Sequence, residues 1–218
     1  MSRQVVSALI VVDIQNGFIS NVDELPVPGG HEVIPITNRL LERFAVRVAS
    51  QDWHPPDHGS FASNNPGRKP FETGELGGVP QIFWPDHCVQ NTHGAEFHPD
   101  FNQHLIQAIF RKGIDPLVDS YSTFADNTGK NPTGLKGYLE NLGVRELYLA
   151  GLALDYCVKF SALDARRLLP EVSVSIILDA TRPVDVATGE EAKRELLAAG
   201  VRLVTSDELY SQMRCKTG

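Results

Sequence analysis

Short stretches of consecutive apolar, often β-branched residues recur along the chain and constrain its fold more than any other feature. A strand with one face in water alternates apolar and polar residues, whereas uninterrupted apolar runs are typical of parallel strands covered on both faces. The sequence therefore predicts a buried, mostly parallel sheet of about six strands. The predicted strands are Val5–Val12, Val46–Ser50, Ile106–Phe110, Glu146–Gly151, Val172–Leu178 and Val201–Val204.

Helical patterns lie between several of these runs. Apolar residues repeat with a period near 3.6 over 31–44, 156–169 and 188–199, and Gly200 is suited to end the third of these helices. Strands that alternate with helices form a doubly wound sheet with helices on both faces. We therefore expect a single α/β domain over residues 1–218 with a three-layer α/β/α arrangement, since no linker or internal repeat interrupts the chain.

Composition and charge exclude several classes of protein. The 218 residues carry a net charge of −7 without a cluster of Lys and Arg, which argues against binding to a nucleic-acid backbone. Three widely separated cysteines do not make a disulfide framework, so we expect a location in the reducing cytoplasm. The apolar run Val5–Val12 is too short to span a membrane. The oligomeric state stays open, and a homo-oligomer is compatible with the sequence.

The stretch from residue 53 to about residue 104 departs from the alternation of strands and helices. It is rich in Pro, Gly and aromatic residues, and it contains most of the histidines of the chain. A connection of this length without periodicity is unusual in a compact domain and is commonly functional. We expect it to form a small irregular lobe over the end of the sheet.

Polar or reactive residues follow four of the predicted strands, at the edge where open parallel sheets bind their ligands. Asp13, Asp52 and Lys112 come at or just after the ends of three runs, and Cys157 lies just beyond a fourth. Taken singly, such an aspartate is most often a turn former or helix cap, a lysine is usually solvated, and a lone cysteine usually packs as a small apolar residue. Their joint occurrence at one edge favours a reactive site.

Three of these residues have the chemistry of a thiol hydrolase. Cys157 is expected in the first turn of a helix, where the helix dipole and a nearby Lys112 ammonium would favour the thiolate. Asp13 would accept the thiol proton and deliver it to a leaving group. The turn from Leu152 to Tyr156 would offer backbone N–H groups to an oxyanion. The arrangement suits acyl transfer through a thioester.

A second group of residues has the composition of an open metal site. Asp52 and His54 are two residues apart on an extended chain, so their side chains point the same way, and His87 lies at the far side of the irregular lobe. One carboxylate and two imidazoles suit zinc first, with iron or manganese as alternatives. His58 and Ser60 are candidates for an extended ligand shell. Taken singly, a histidine is more often a hydrogen-bonded or exposed ring than a ligand.

Six stretches of the chain, in order, match the motifs of one enzyme family. They are VVDIQNGF (11–18), SQDWHPPDHGSF (50–61), FWPDHCVQ (83–90), RKG (111–113), DSYSTF (119–124) and GLALDYCVKFSALDA (151–165). On these motifs the chain resembles the nicotinamidases of the isochorismatase-like cysteine hydrolase superfamily. Members of this family convert nicotinamide to nicotinate and ammonia. The resemblance implies an amidohydrolase of NAD salvage that takes a small-molecule substrate and also hydrolyses pyrazinamide.

The resemblance implies a role for each residue of the thiol group. The catalytic triad falls on Asp13, Lys112 and Cys157, with the cysteine as the nucleophile. The oxyanion hole falls on the backbone N–H groups of Ala153 and Cys157, and a cis peptide bond between Leu152 and Ala153 would aim the first of these.

The resemblance also implies a metal site and a substrate pocket. The metal ligands fall on Asp52, His54 and His87, and the ring nitrogen of the substrate would complete the coordination of the ion. Phe18 and Trp84 would flank the pyridine ring. Tyr121 and Leu25 would line the rest of the pocket.

One residue departs from the family pattern. The family reads Ala-Thr-Asp-Tyr-Cys before and at the nucleophile, whereas this chain reads Ala153-Leu154-Asp155-Tyr156-Cys157. The loss of the hydroxyl leaves the triad intact. It bears on the fine structure of the turn and on the polarity of the pocket.

Other functions remain open on the sequence. A sister hydrolase of the same fold would act on an isochorismate-type ether or an N-carbamoyl amide, but such relatives are not expected to carry the Asp52, His54 and His87 group. A metallohydrolase would attack with metal-bound water and leave Cys157 structural. A non-catalytic binding protein on the same fold is a further alternative, which an intact triad disfavours.

Overall fold

The computed structural model describes residues 5–19 and 24–216, so the outermost residues of the predicted domain lie outside the described residues. The strands are β1 (Val6–Val12), β2 (Val46–Asp52), β3 (Thr73–Leu76), β4 (Val79–Ile82), β5 (Ala108–Lys112), β6 (Val144–Leu152), β7 (Ser173–Arg182) and β8 (Arg202–Val204). Six of them form one parallel sheet in the order β5-β2-β1-β6-β7-β8, while β3 and β4 form a separate antiparallel hairpin.

Helices cover both faces of the parallel sheet. They are α1 (Asn16–Ile19), α2 (Val33–Leu41), α3 (Leu135–Asn141), α4 (Lys159–Leu168), α5 (Val186–Ala198) and α6 (Ser206–Lys216). Leu9 and Val11 of β1 belong to a core cluster shared with α2 and α6, while Ile10 and Val12 belong to a second cluster shared with α3, α4 and α5. Successive residues of a strand point to opposite faces, which is why its run is apolar throughout. The predicted three-layer α/β/α fold is confirmed.

The strand order reverses between β1 and β6. From β1 the chain adds β2 and β5 on one side, and it then crosses to β6 and adds β7 and β8 on the other side. Helices that diverge from such a point leave a crevice at the carboxyl ends of the two central strands. This crevice is where Asp13 and the turn after β6 are placed.

The predicted ends of two strands were wrong for the same physical reason. The third predicted strand was expected over Ile106–Phe110, yet the corresponding β5 runs over Ala108–Lys112, and β2 continues to Asp52 beyond the predicted end at Ser50. The register pairs Asp52 with Lys112. Charged residues extend these buried strands because each charge has its partner on the neighbouring strand.

The predicted helices also differ at their ends. The segment 31–44 forms a short 3-10 turn over Gly30–Glu32 followed by α2, which ends at Leu41. α5 begins at Val186, two residues earlier than expected, because the Asp185 side chain accepts hydrogen bonds from the backbone N–H groups of Ala187 and Thr188. The first turn after β6 is π-helical over Leu154–Val158, and α4 starts only after it.

The stretch expected to be irregular contains the β3–β4 hairpin and several 3-10 turns. That this stretch forms a small lobe of its own stays a prediction. Isolated β-bridges join His54 to Val89 and Phe61 to Trp84, so the segment folds back on itself beside the end of β2. Within the described residues, no helix combines the length and the apolar character needed to cross a bilayer.

Candidate active site

Lys112 brings together the residues at the ends of four strands. Its Nζ lies 2.9 Å from Asp13 Oδ2 and 2.5 Å from Asp52 Oδ1, and it donates to Cys157 Sγ at 3.3 Å. It also donates to the backbone carbonyl of Ser120 at 3.2 Å. The end of β1 supplies the first carboxylate, β2 the second, β5 the lysine and the turn after β6 the thiol. The structure thus places the three predicted triad residues in one contact group.

The charges of this group depend on each other. Burial alone would lower the pKa of Lys112, but the carboxylates of Asp13 and Asp52 hold it well above its ordinary value, so the side chain is an ammonium. Burial raises the pKa of Asp13, the charge of Asp52 raises it further, and Lys112 opposes both. Ser50 Oγ donates to Asp13 Oδ1 at 2.7 Å and fixes the carboxyl orientation. A buried carboxyl with a raised pKa is suited to both accepting and returning a proton.

The surroundings of Cys157 oppose the thiolate that its position in the turn was expected to favour. Burial raises the pKa of its thiol well above the ordinary value, and the charges of Asp13 and Asp52 raise it further, while Lys112 lowers it. The predicted effect of Lys112 therefore has the right direction but is outweighed. The thiol needs a proton acceptor at the moment of attack, and Asp13, which shares the Lys112 ammonium with it, is the candidate.

The turn that carries Cys157 is shaped by the backbone around it. The Leu152–Ala153 peptide bond is cis, as the family resemblance implied. The carbonyl of Ala153 accepts hydrogen bonds from the N–H groups of Tyr156 and Val158, and the second of these is a π-helical bond. Single π-turns are frequent at functional sites.

Two residues of this region owe their identity to packing. Gly151 has a φ of 110°, and a Cβ there would overlap the backbone of Val12 in β1, so only glycine allows the two strands to meet this closely. Leu154, where the family has threonine, is buried in the core on the α4 side of the sheet and is not among the residues that line the cavity described below.

Asp52, His54 and His87 form the candidate metal centre. Ligand atoms of the three side chains all lie within 4.8 Å of one another, and all three residues are buried. The Nδ1 atoms of the two imidazoles are held at backbone carbonyls, that of His54 at 2.9 Å from Gly113 O and that of His87 at 2.8 Å from Pro85 O. Each ring therefore turns its Nε2 towards Asp52 Oδ2, at 3.8 and 4.0 Å respectively. Such outer hydrogen bonds orient metal-binding imidazoles in proteins.

The histidines of this centre are neutral. Burial lowers the pKa of His54 to about 3 and that of His87 to about 4. Neutral imidazoles have a free ring nitrogen for a cation. Asp52, whose pKa is raised by burial and lowered by Lys112 and His87, would supply an oxygen ligand. The donor set fits a divalent ion.

A second cluster overlaps the first at His54. Ligand atoms of His54, His58 and Asp119 also lie within 4.8 Å of one another. Ser60 Oγ lies 2.7 Å from Nδ1 of His58, while Nε2 of the same ring is buried without a hydrogen-bond partner. A buried ring nitrogen without a partner is costly unless an ion or water meets it. This supports the placement of His58 and Ser60 beside the metal centre.

A small cavity of about 30 Å³ opens between the thiol and the metal centre. All four predicted pocket residues line it, together with residues that the sequence had not indicated. Trp84 stands edge-on to Tyr156 with ring centroids 4.9 Å apart, and its Nε1 donates to the hydroxyl of Tyr121 at 3.3 Å. The predicted pocket residues are Phe18, Leu25, Trp84 and Tyr121, and the additional ones are Val27, Asp119, Tyr156 and Val184.

Two of these additional residues had a signal in the sequence. Asp119 opens the matched stretch DSYSTF, and its carboxylate is fixed by Gln81 Nε2 at 2.8 Å and by the backbone N–H of Ser120 at 2.7 Å. Tyr156 precedes the nucleophile directly. Val27 and Val184 are ordinary apolar residues on loops, and only the folded chain brings them to the cavity.

Comparison with known proteins agrees with this geometry. The Isochorismatase domain model matches residues 7–208. The chain is 46% identical to the nicotinamidase of Escherichia coli (strain K12) over 204 residues, which cover 91% of this chain and 94% of that protein. A solved structure described as a nicotinamidase and pyrazinamidase of Acinetobacter baumanii superposes with a TM-score of 0.90 at 42% identity, covering 95% of this chain and 99% of the other.

A second similar structure was solved with a metal. The pyrazinamidase of Pyrococcus horikoshii, solved in complex with zinc, superposes with a TM-score of 0.73 at 34% identity and covers 91% of this chain and 98% of its own. The family model and these relatives each extend over most of the chain. The protein therefore belongs to the isochorismatase domain family.

Proposed function

We propose that the protein is a nicotinamidase, an amidohydrolase that converts nicotinamide to nicotinate and ammonia through a thioester on Cys157. The observation that carries the proposal is the contact of one buried ammonium, Lys112, with both Asp13 and the Cys157 thiol beside an aromatic cavity. Close similarity to proteins named nicotinamidase over more than nine tenths of the chain supports the same substrate.

The first half-reaction follows from the placement of the triad. Asp13 accepts the proton of the Cys157 thiol, and the sulfur attacks the amide carbon. The carbonyl oxygen then becomes an oxyanion, to which the backbone N–H groups of Ala153 and Cys157 would donate. Asp13 returns the proton to the amide nitrogen, the C–N bond breaks, and ammonia leaves a thioester. Lys112 balances the negative charge that moves between carboxylate and sulfur.

The second half-reaction reverses these roles. Asp13, again a carboxylate, accepts a proton from water as the water attacks the thioester carbon. The C–S bond breaks, the sulfur regains a proton, and nicotinate is released. An amide is a poor electrophile with a poor leaving group, so stabilisation of the oxyanion and protonation of the nitrogen both matter.

The candidate metal centre gives the site its preference for a ring nitrogen. A divalent ion bound by Asp52, His54 and His87 would supply a Lewis acid for the pyridine nitrogen and so orient the ring. Zinc is proposed first because the donor set suits it and a similar pyrazinamidase was solved with zinc, with iron and manganese as alternatives. The closeness of His58 to His54 and Asp119 supports the proposal that it extends the ligand set.

The aromatic lining of the cavity also suits pyrazinamide, whose ring differs from that of nicotinamide by one nitrogen. Similarity to proteins named nicotinamidase/pyrazinamidase supports this wider scope. We further propose that nicotinate formation serves NAD salvage and takes place in the cytoplasm. The absence of a disulfide framework in the sequence is consistent with that compartment.

The decisive experiment measures ammonia release from nicotinamide by the metal-loaded protein and by its Cys157→Ala variant. The variant should bind nicotinamide and release no ammonia. Steady-state turnover by that variant would favour attack by metal-bound water instead. Turnover of an isochorismate-type ether or an N-carbamoyl amide, with nicotinamide left intact, would replace the proposal with a sister hydrolase.

A further inference from the structure

Asp155 links the nucleophile turn to the opposite side of the crevice. The last paired residues of β6 and β7 are Leu152 and Arg182, and beyond them the two chains separate. The buried carboxylate of Asp155 spans the gap between them. It accepts hydrogen bonds from Val184 N at 3.0 Å, from Asp185 N at 3.2 Å and from Thr188 Oγ1 at 2.6 Å.

The two segments that Asp155 joins both contribute residues to the wall of the cavity. Asp155 lies inside the π-helical turn, two residues before Cys157. Its partner Val184 lines the same cavity as Ala153 and Cys157. Asp155 itself is not one of the described residues that line this cavity. A single carboxylate thus fixes the turn that carries the thiol against a wall that would contact the substrate.

The link also bears on the π-helical geometry of the turn. π-helical turns are rare, which indicates that this one is supported by its surroundings. The three hydrogen bonds to a carboxylate provide such support, since bonds to an ionised acceptor are stronger than neutral ones. Without them, residues 154–158 are free to relax towards α-helical hydrogen bonding, which would rotate Cys157 away from Lys112.

We propose that Asp155 is a positioning residue that sets the place of the Cys157 sulfur and of the neighbouring backbone N–H groups relative to the bound amide. The proposal rests on the nicotinamidase function proposed above. Asp155 does not touch the reacting atoms. It acts through the turn, so its loss should lower the rate of the chemical step far more than it weakens substrate binding.

The test compares variants at the two ends of the link. Asp155→Ala removes the acceptor, and Asp155→Asn places an NH₂ group against N–H donors. Thr188→Val removes one donor on an exposed helix position, while Thr188→Ser keeps the hydroxyl. The matched control is Asp185→Ala, which removes the side-chain cap of the same helix α5 but leaves the bonds to Asp155 in place.

In metal-loaded enzyme, Asp155→Ala should lower kcat on the order of 100-fold with KM changed by no more than about threefold. Thr188→Val should lower kcat by roughly threefold to tenfold, and Thr188→Ser should restore it. Asp185→Ala should lower Tm while its kcat stays within about twofold of the parent. If Asp155→Ala does not fold, the Asp155→Asn and Thr188 variants decide the matter.

A second readout needs no substrate. The measurement is the rate at which iodoacetamide alkylates Cys157, followed on its peptide by mass spectrometry. This rate should fall at least about threefold in Asp155→Ala, because the sulfur would move away from the Lys112 ammonium that lowers the pKa of the thiol. The proposal is overturned if folded Asp155 variants keep the parental kcat or alkylation rate, or if Asp185→Ala loses as much kcat as Asp155→Ala. If the parent releases no ammonia from nicotinamide, the proposed function fails, and the alkylation rates still decide the role of Asp155.

Discussion

Lys112 shows how a single side chain can hold two functional groups together. It is fully buried and contacts the carboxylates of Asp13 and Asp52 as well as the thiol of Cys157. A buried ammonium is tolerated only when it is paired, and removal of one partner from a buried pair leaves an uncompensated charge. The lysine is therefore as important for folding as for reactivity.

The Lys112→Met variant should lose roughly 3 kcal/mol or more of unfolding free energy, since two buried carboxylates lose their cation. Urea unfolding of the metal-free protein measures the loss. The control is Lys136→Met, which breaks an exposed pair with Glu140 and should cost no more than about 0.5 kcal/mol. Equal losses in the two variants would contradict the account.

His87 should make the stability of the metal-free protein depend on pH. Its pKa in the folded protein is about 4, below the ordinary value of 6.5, because of burial. Between these values the unfolded chain binds a proton that the folded protein does not, so the unfolding free energy falls as pH falls from 6.5 towards 4. The stabilisation is complete above 6.5 and is lost by the time the pH has passed below the folded value.

Urea unfolding in the presence of a chelator, at a series of pH values, tests this expectation. Over the interval the parent should lose roughly 3 kcal/mol more than His87→Gln, a variant that has no imidazole to protonate. Parallel curves for the parent and the variant would show that His87 is not held neutral by burial.

At the residue scale, the sequence predicts those site residues that stand at strand ends or in a motif. The position of Asp13, Asp52 and Lys112 follows from the rule that parallel strands present their carboxyl ends at one edge. Val184 could not be found in this way, because it is an ordinary apolar residue after β7. The raised pKa of the Cys157 thiol could not be found in this way either, since burial depends on the whole fold and outweighs a neighbouring charge that the sequence does show.

At the scale of elements, the turn after β5 determines the orientation of a metal ligand. Gly113 has a φ of 63°, and its carbonyl lies at the Nδ1 atom of His54. A Cβ on this glycine would overlap the imidazole ring. Two consecutive residues of the motif RKG therefore have different roles: Lys112 belongs to the proposed triad, and Gly113 supports a proposed metal ligand.

Gly113→Ala should lower the affinity for a divalent ion by at least about tenfold, the effect expected when the outer support of a ligand is disturbed. The control is Gly129→Ala, which has a similar φ of 72° but no atom within 4 Å of the added Cβ. Both variants should lose about 1 kcal/mol from the positive φ, and only the first should lose metal in competition with a chelating dye. If both variants lost metal affinity, the cause would be the strained backbone at the positive φ and not the contact with His54.

The boundaries of the elements were predictable where apolar periodicity alone decides them and not where polar partners do. β1 and the face of α2 follow from their apolar pattern. β5 was displaced by two residues because Arg111 and Lys112 look like the start of a loop, yet Lys112 is paired inside the sheet with Asp52. The early start of α5 depends on the cap made by Asp185, and the π-turn before α4 has no periodic signature in so short a segment.

At the scale of the whole molecule, the candidate metal centre contains residues from two parts of the chain. Asp52 belongs to the central sheet, while His87 comes from the long segment between β2 and β5. A bound ion would therefore cross-link that segment to the sheet. Ions that bind only the folded state add to its stability, by about 2.7 kcal/mol when the free ion is at 100 times its dissociation constant.

Chelation should accordingly lower Tm and increase proteolytic cleavage within the segment between β2 and β5, and added zinc should reverse both effects. Thermal unfolding and limited proteolysis with mass mapping measure them. In His87→Ala, which loses one ligand, neither chelator nor zinc should have a comparable effect. If the Tm and the cleavage pattern of the parent stay the same after verified metal removal, a stabilising ion is contradicted.

Asp52 contacts both the histidines of the candidate metal centre and Lys112. This limits which substitutions can distinguish the role of the metal from the role of the charges around the thiol. One oxygen of this carboxylate faces the imidazoles while the other is paired with Lys112. Replacing it would remove a metal ligand and, in the same step, make the surroundings of the thiol one charge more positive. A loss or gain of activity in such a variant would have two causes that cannot be told apart. His54 and His87 are neutral, so their replacement leaves the protein's own charges around sulfur unchanged, and its effect on the thiol would come through the proposed ion.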